Sequence, residues 1–234
     1  MIEKRPASSR GHANHGWLDS WHSFSFADYH DPAQMGWGTL RVINDDTVEP
    51  AGGFPSHGHR DMEIVSVVLE GALEHRDSMG NGTVIKAGEV QRMSAGSGVT
   101  HSEFNPSATE RSRFLQIWIR PRAAGGAPGY EQQAFRPEET PGRWRVLASA
   151  DGRDDSLTIN QDASILAAAL LGGEAIAHDP GRGRKQYVHV VRGEIDVNNI
   201  RLGAGDGAKI AAEAALAFAA HADSIFLLFD LTES

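Results

Sequence analysis

The chain has 234 residues, 40% of them hydrophobic, no cysteine and a formal net charge of −9. That length holds one large β domain or two ordinary ones around a buried core. The acidic balance argues against binding a phosphate backbone, which calls for a basic face, and the lack of cysteine excludes disulfides, thiolate metal sites and thiol catalysis.

The N-terminal run MIEKRPASSRGHANHG has no apolar segment of signal-peptide type, and the apolar run at 214–220 is too short to span a bilayer. The expectation is a soluble, cytoplasmic protein without membrane or nucleic-acid contacts. Residues 1–35 are rich in aromatics and histidines, among them His12, His15, Trp17, Trp21, His22, Phe24, Phe26, Tyr29 and His30. Their spacing mixes strand faces, so a structural role is expected for most and a second metal site is disfavoured. WHSFSF at 21–26 alternates in part as a strand does, Asp31-Pro32 supplies a turn, and TLRVIN at 39–44 is a strand closed by an Asn-Asp-Asp turn at 44–46.

The segment GGFPSHGHRDMEIVSVVLEG at 52–71 comes next. Successive side chains of a strand point to opposite faces, so His57 and His59 share one face. The β-branched run EIVSVVL at 63–69 is expected to be a strand covered on both sides. Gly80-Asn-Gly82 joins a hairpin, 83–88 and 89–93 are further strands, and the loop 94–98 leads into THSEFNP at 100–106. There His101 and Glu103 again share a face. RFLQIWI at 113–119 is an apolar strand whose Gln116 is either edge-exposed or turned to a cavity, and PRAAGGAPG at 121–129 is a linker by composition.

Short strands about ten residues apart with Gly, Asn and Pro turns, and almost no helical period, argue for an all-β sandwich or barrel. A weak internal repeat sets VSVVLEGALE at 65–74 against VHVVRGEIDV at 188–197. Counting from the shared glycines puts Asp179 and Gly181 in the places of His57 and His59, and Phe218 and Ala220 in those of His101 and Glu103. The second half therefore has the frame without the ligands. Two facing pairs, His57/His59 and His101/Glu103, supply four imidazole and carboxylate ligands. Such ligands suit iron, manganese, cobalt, nickel, copper or zinc, and around a six-coordinate metal they leave two positions free.

RGHANHGWLDSWHSFSFADY at 10–29, LRVINDD at 40–46, HGHRDMEIVSVVLEGALEHRDSMGN at 57–81, MSAGSGVTHSEFNPS at 93–107 and LQIWI at 115–119 resemble the pirin family of the cupin superfamily. Within it, the chain is similar to the bacterial pirins described as quercetin 2,3-dioxygenases. The resemblance implies a bicupin of two antiparallel, jelly-roll-like β-barrel lobes, expected at 1–125 and 126–234, with one metal in the first. It carries the ligand role to His57, His59, His101 and Glu103, and Fe(II) is the metal expected, with Mn, Co, Ni, Cu or Zn as alternatives. HxHxxxE is present as His57, His59 and Glu63, but the following Gly comes one residue late and Ser94 stands where a Pro is usual. Glu63 is accordingly expected either beside a ligating imidazole as its hydrogen-bond partner or as an ordinary strand end.

HExxH, GxSxG and GxxxxGK[ST] are all missing, which removes zincin, serine-hydrolase and P-loop chemistry. Gly96-Ser-Gly98 is expected to let the backbone pass close to the site. The resemblance implies a dioxygenase that uses dioxygen to cleave the heterocyclic ring of a flavonol such as quercetin, with Glu103 as candidate general base or as a ligand only. The alternative is a non-catalytic, redox-sensing regulator that binds a protein partner.

Overall fold

The computed structural model describes residues 1–233. Its strands are β1 Ile2–Arg5, β2 Gly11–Asn14, β3 Leu18–His22, β4 Leu40–Val48, β5 Gly53–His59, β6 Glu63–Glu70, β7 Ala72–Asp77, β8 Gly82–Lys86, β9 Glu89–Ser94, β10 Val99–Phe104, β11 Ser112–Ile119 and β12 Gly129–Ala134. They continue as β13 Arg145–Ser149, β14 Leu157–Thr158, β15 Ala163–Leu170, β16 Ala175–His178, β17 Lys185–Arg192, β18 Glu194–Val197, β19 Ile200–Gly203, β20 Gly207–Ala211, β21 Leu216–Ala220 and β22 Ser224–Leu231. Among the described residues no helix is long and apolar enough to cross a membrane.

The fold is all-β and bicupin. In the first lobe a seven-stranded sheet, β12-β9-β6-β11-β4-β3-β2, faces a four-stranded one, β5-β10-β7-β8. The second lobe repeats this with β1-β20-β17-β22-β15-β13-β14 facing β16-β21-β18-β19. Strand pairing crosses the division expected near residue 125: β1 pairs with β20 of the second lobe and β12 with β9 of the first.

The large sheets pack back to back. Val65, Val67, Leu115 and Ile117 of the first lobe share one core with Ile165, Tyr187, Leu227 and Phe229 of the second. The first large sheet is thus covered on both faces, which is why β6 carries β-branched residues on both. Its other face, bearing Val68 and Phe114, packs with Leu73 and Ile85 of the small sheet inside the first barrel.

Three local expectations change. The partly alternating run at 21–26 is a strand only as far as His22, and Phe26 instead forms an isolated bridge with Tyr29. Asn44, Asp45 and Asp46 are no turn; they lie within β4 and are buried. Each charged member has a tertiary partner that outweighs turn propensity: Asp45 accepts two 2.9 Å bonds from Arg113, and Asp46 accepts from the Ser20 hydroxyl. In the second lobe, register sets Ile176 opposite Phe218 and His178 opposite Leu216, as His57 lies opposite His101 and His59 opposite Val99. Ile176 and His178, rather than Asp179 and Gly181, therefore stand in the places of His57 and His59. The loop before β17, 179–184, is three residues longer than 60–62 before β6, and that displaces a count made from the glycines.

Candidate metal centre

The small sheet of the first lobe carries the candidate ligands. In β5, His57 and His59 lie two residues apart on one face, and His101 of β10 is directly opposite His57. A register shift between His101 and Glu103 adjusts the strand where both must turn inward. The strands approach closely at their far end, where a side chain on Gly53 would press on the Glu103 carbonyl and stand 2.6 Å from Phe104 Cα. Glycine is required there. The Gly96 loop, by contrast, closes on the linker: Ser97 N–H donates to the Gly126 carbonyl at 2.7 Å, and a Cβ on Gly96 would stand 2.8 Å from the Gly126 and Ala127 carbonyl carbons.

The side-chain nitrogens of His57, His59 and His101 lie within 4.8 Å of one another, and His75, His101 and Glu103 form a second such group. Three of the four predicted residues, His57, His59 and His101, are thus gathered in one group, while Glu103 falls in the other, with His101 and His75. The ring of His59 meets the edge of Trp118 at 5.0 Å.

Hydrogen bonds assign the tautomers. His57 Nδ1–H donates to the Pro55 carbonyl at 2.8 Å, leaving Nε2 with a bare lone pair. Buried His75 donates from Nε2 to Asp77 at 3.1 Å, so its Nδ1 is an acceptor for His101 Nδ1–H at 3.5 Å. His101 Nε2 is then bare as well, and it lies 3.1 Å from His57 Nε2. Two lone pairs converging at that distance repel unless a cation lies between them, so the donor set fits a divalent metal. Burial, reinforced by neighbouring histidines, lowers His59 to about 4 and His101 to about 3, which keeps both neutral as ligation requires.

Glu103 is fully buried and held by the opposite sheet. Oε1 accepts from Gln91 Nε2 at 2.8 Å and Oε2 from Gln116 Nε2 at 2.7 Å, while the single Ser66 hydroxyl proton goes to Gln116 Oε1 at 2.8 Å and steadies that amide. Burial raises its pKa to about 7 in spite of these donors. Gln116 therefore faces the cavity, and Gln91, Ser66 and His75 are site residues that the one-dimensional pattern did not single out. Glu63 is not the expected partner of a ligand imidazole: its carboxylate accepts from Ser94 Oγ at 2.6 Å instead.

A cavity of about 760 Å³ opens onto His57, His59 and Glu103. Its walls include Trp17, Phe26, Tyr29, Phe54 and Trp118, with His12, His15, Ser20, His22, Asn44 and Asp46 on the side away from the small sheet. The aromatic N-terminal segment is thus a cavity wall.

Residues 3–119 match the family described as Pirin, and residues 146–231 match the quercetinase C-terminal cupin domain. The chain belongs to the pirin family. Quercetin 2,3-dioxygenase of Escherichia coli (strain K12) is 50% identical to this pirin over 231 residues, covering 99% of each chain. A pirin-like protein of Caulobacter vibrioides is 44% identical over 231 residues, covering 98% of this chain and 99% of its own. Among solved structures, the Escherichia coli bacterial pirin YhhW in complex with nickel(II) superposes with a TM-score of 0.96 at 48% identity, with all of both chains covered.

Proposed function

We propose that this pirin is a metal-dependent dioxygenase that opens the heterocyclic ring of flavonols such as quercetin in the cytoplasm, with Fe(II) held by His57, His59, His101 and Glu103 of the first lobe. The observation that carries the reading is the aromatic-walled cavity of about 760 Å³ that opens onto three of these four residues, large enough for a three-ring substrate. The full-length similarity to a quercetin 2,3-dioxygenase supports it. When bound, the metal supplies a Lewis acid for the substrate's deprotonated hydroxyl and a path for electron density to dioxygen.

The chain's own groups do the rest. Trp118, Phe26 and Phe54 offer ring faces and edges that orient a planar aromatic and exclude water. A flavonol carries a hydroxyl beside its carbonyl, and that proton must be removed for the ring to become electron-rich. Glu103 lies at the cavity wall and is the carboxylate placed to take that proton. Gln91 and Gln116 hold its two oxygens in place meanwhile. The ring then opens with loss of carbon monoxide. The test is oxygen uptake with quercetin after anaerobic Fe(II) loading, beside a His57→Ala, His101→Ala variant. Uptake by the wild type and none by the variant is expected; a fully metal-loaded wild type that consumes no oxygen with any flavonol overturns the reading.

A further inference from the structure

Strand β4 brings a second carboxylate to the cavity. Its side chains alternate, so Asn44 and Asp46 turn into the first barrel and line the cavity, while Asp45 turns away from it. The two aspartates are held differently. Asp45 is desolvated, yet two 2.9 Å bonds from Arg113 keep it below its ordinary pKa. Asp46, 3% exposed, has only the Ser20 hydroxyl, on Oδ1. No lysine or arginine lines the cavity, and burial, reinforced by the charges of Asp45 and Glu103, raises the Asp46 pKa to about 7 in spite of Ser20.

Enclosure decides which atoms meet the cavity. Asn44 Oδ1 is shut in, so the amide Nδ2 carries that side chain's accessible surface. Asp46 Oδ1 is occupied by Ser20, whereas Oδ2 has no donor among the described residues and is not shut in. A donor and an acceptor, each without a partner among the described residues, therefore stand two residues apart on one strand face, about 6.5 Å at the backbone. Two hydrogen bonds that meet at one oxygen span about 5 Å, a distance that side chains so placed reach by leaning together. The group that fits takes one hydrogen bond and gives one. A hydroxyl does both, while a carbonyl or an ether only accepts.

We propose that Asn44 Nδ2 and Asp46 Oδ2 form a subsite for one phenolic hydroxyl, which donates to the carboxylate and accepts from the amide. A phenol is favoured over an aliphatic alcohol, because its more acidic proton strengthens a bond to a carboxylate and its ring matches the aromatic walls. Asn44 lies opposite Gln116, whose amide holds Glu103, so the subsite is one strand further across the sheet from the metal ligands. That strand spacing of about 4.8 Å makes its occupant a second hydroxyl of the molecule whose first is at the metal. The subsite rests on the flavonol reading for the identity of the ring, and on β4 itself for its chemistry. It makes this part of the cavity a determinant of which flavonols are preferred.

The test measures Kd without oxygen, on metal-loaded wild type and variants, for 3,5-, 3,6-, 3,7- and 3,4′-dihydroxyflavone, each beside its methyl ether at the added position. For one of the four, the wild type is expected to bind the hydroxyl compound about tenfold more tightly than both its ether and the parent 3-hydroxyflavone. That ratio is expected to collapse toward one in Asp46→Leu and Asn44→Leu. It should shrink in Asp46→Asn and Asn44→Asp, which keep the side-chain shape and decide the matter if the leucine variants do not fold. No preference for any added hydroxyl in the wild type, or a preference that survives unchanged in the variants, overturns the subsite. Oxygen uptake with the same compounds separates the two claims. Uptake without the hydroxyl preference leaves the flavonol reading standing and the subsite overturned, whereas the preference without uptake leaves the subsite standing while the flavonol reading falls.

Discussion

Gln116→Leu isolates what the opposite sheet does for the metal centre. The substitution keeps the side chain's bulk, but it removes the 2.7 Å donor to Glu103 Oε2 and leaves Gln91 on the other oxygen. A hydrogen bond to a charged group contributes about 1.5–3 kcal/mol to the charged form, and one pH unit of pKa is about 1.4 kcal/mol, so the Glu103 pKa should rise by about one to two units. It already stands at about 7. A metal binds the ionised carboxylate, so protons then compete at neutral pH, and affinity should fall about 5- to 50-fold at pH 7 and partly recover by about pH 9. The assay is a Ni(II) or Fe(II) binding isotherm at several pH values for wild type and variant. Equal affinities, or a loss that stays the same from pH 6.5 to 9, would refute the idea that this glutamine holds Glu103 ionised.

Glu103→Gln keeps an oxygen ligand of similar size and removes the basicity, so metal analysis should find it loaded while flavonol turnover is largely lost; a near wild-type rate in the loaded variant would rule out the base role. Gly53→Ala drives a Cβ against the Glu103 carbonyl and Phe104 Cα, prising β5 from β10, and should cost about 1–3 kcal/mol in urea unfolding together with metal affinity; unchanged metal binding would contradict it. His189, fully buried near both lobes' charged groups, has its pKa lowered to about 4, chiefly by burial, from an ordinary 6.5. The unfolded chain therefore takes the proton first, so the neutral ring's stability is complete above about pH 6.5 and is lost as pH falls toward 4, amounting to about 2 kcal/mol at pH 5. His189→Leu should remove that share of the acid sensitivity in denaturant titrations at pH 8 and 5, and an identical pH dependence in both proteins would sink the assignment.

The metal strands were legible because a period of two in HGH and HSE needs no partner to be seen, and the continuous β-branched run of β6 announced a doubly covered strand. The segment at 44–46 was misread for an equally physical reason. Asn and Asp are turn formers in isolation, and only Arg113, Ser20 and the cavity, all supplied by other strands, make them strand residues. His75, Gln91 and Gln116 act through contacts that no local spacing encodes, and Gln116 drew notice only as a polar exception in an apolar strand. The same limit hid the exchange of β1 and β12, since a short strand's pattern does not say which lobe's edge it joins. On β21, Phe218 stands where the count placed the partner of His101, whereas the two places on β16 were displaced by a longer loop and fall on Ile176 and His178.

The most direct test of the central claim is carbon monoxide released per dioxygen consumed when anaerobically prepared, Fe(II)-loaded protein meets quercetin in a sample of known metal content. One carbon monoxide per dioxygen at one metal per chain is the result expected. A fully loaded protein that releases none contradicts the account.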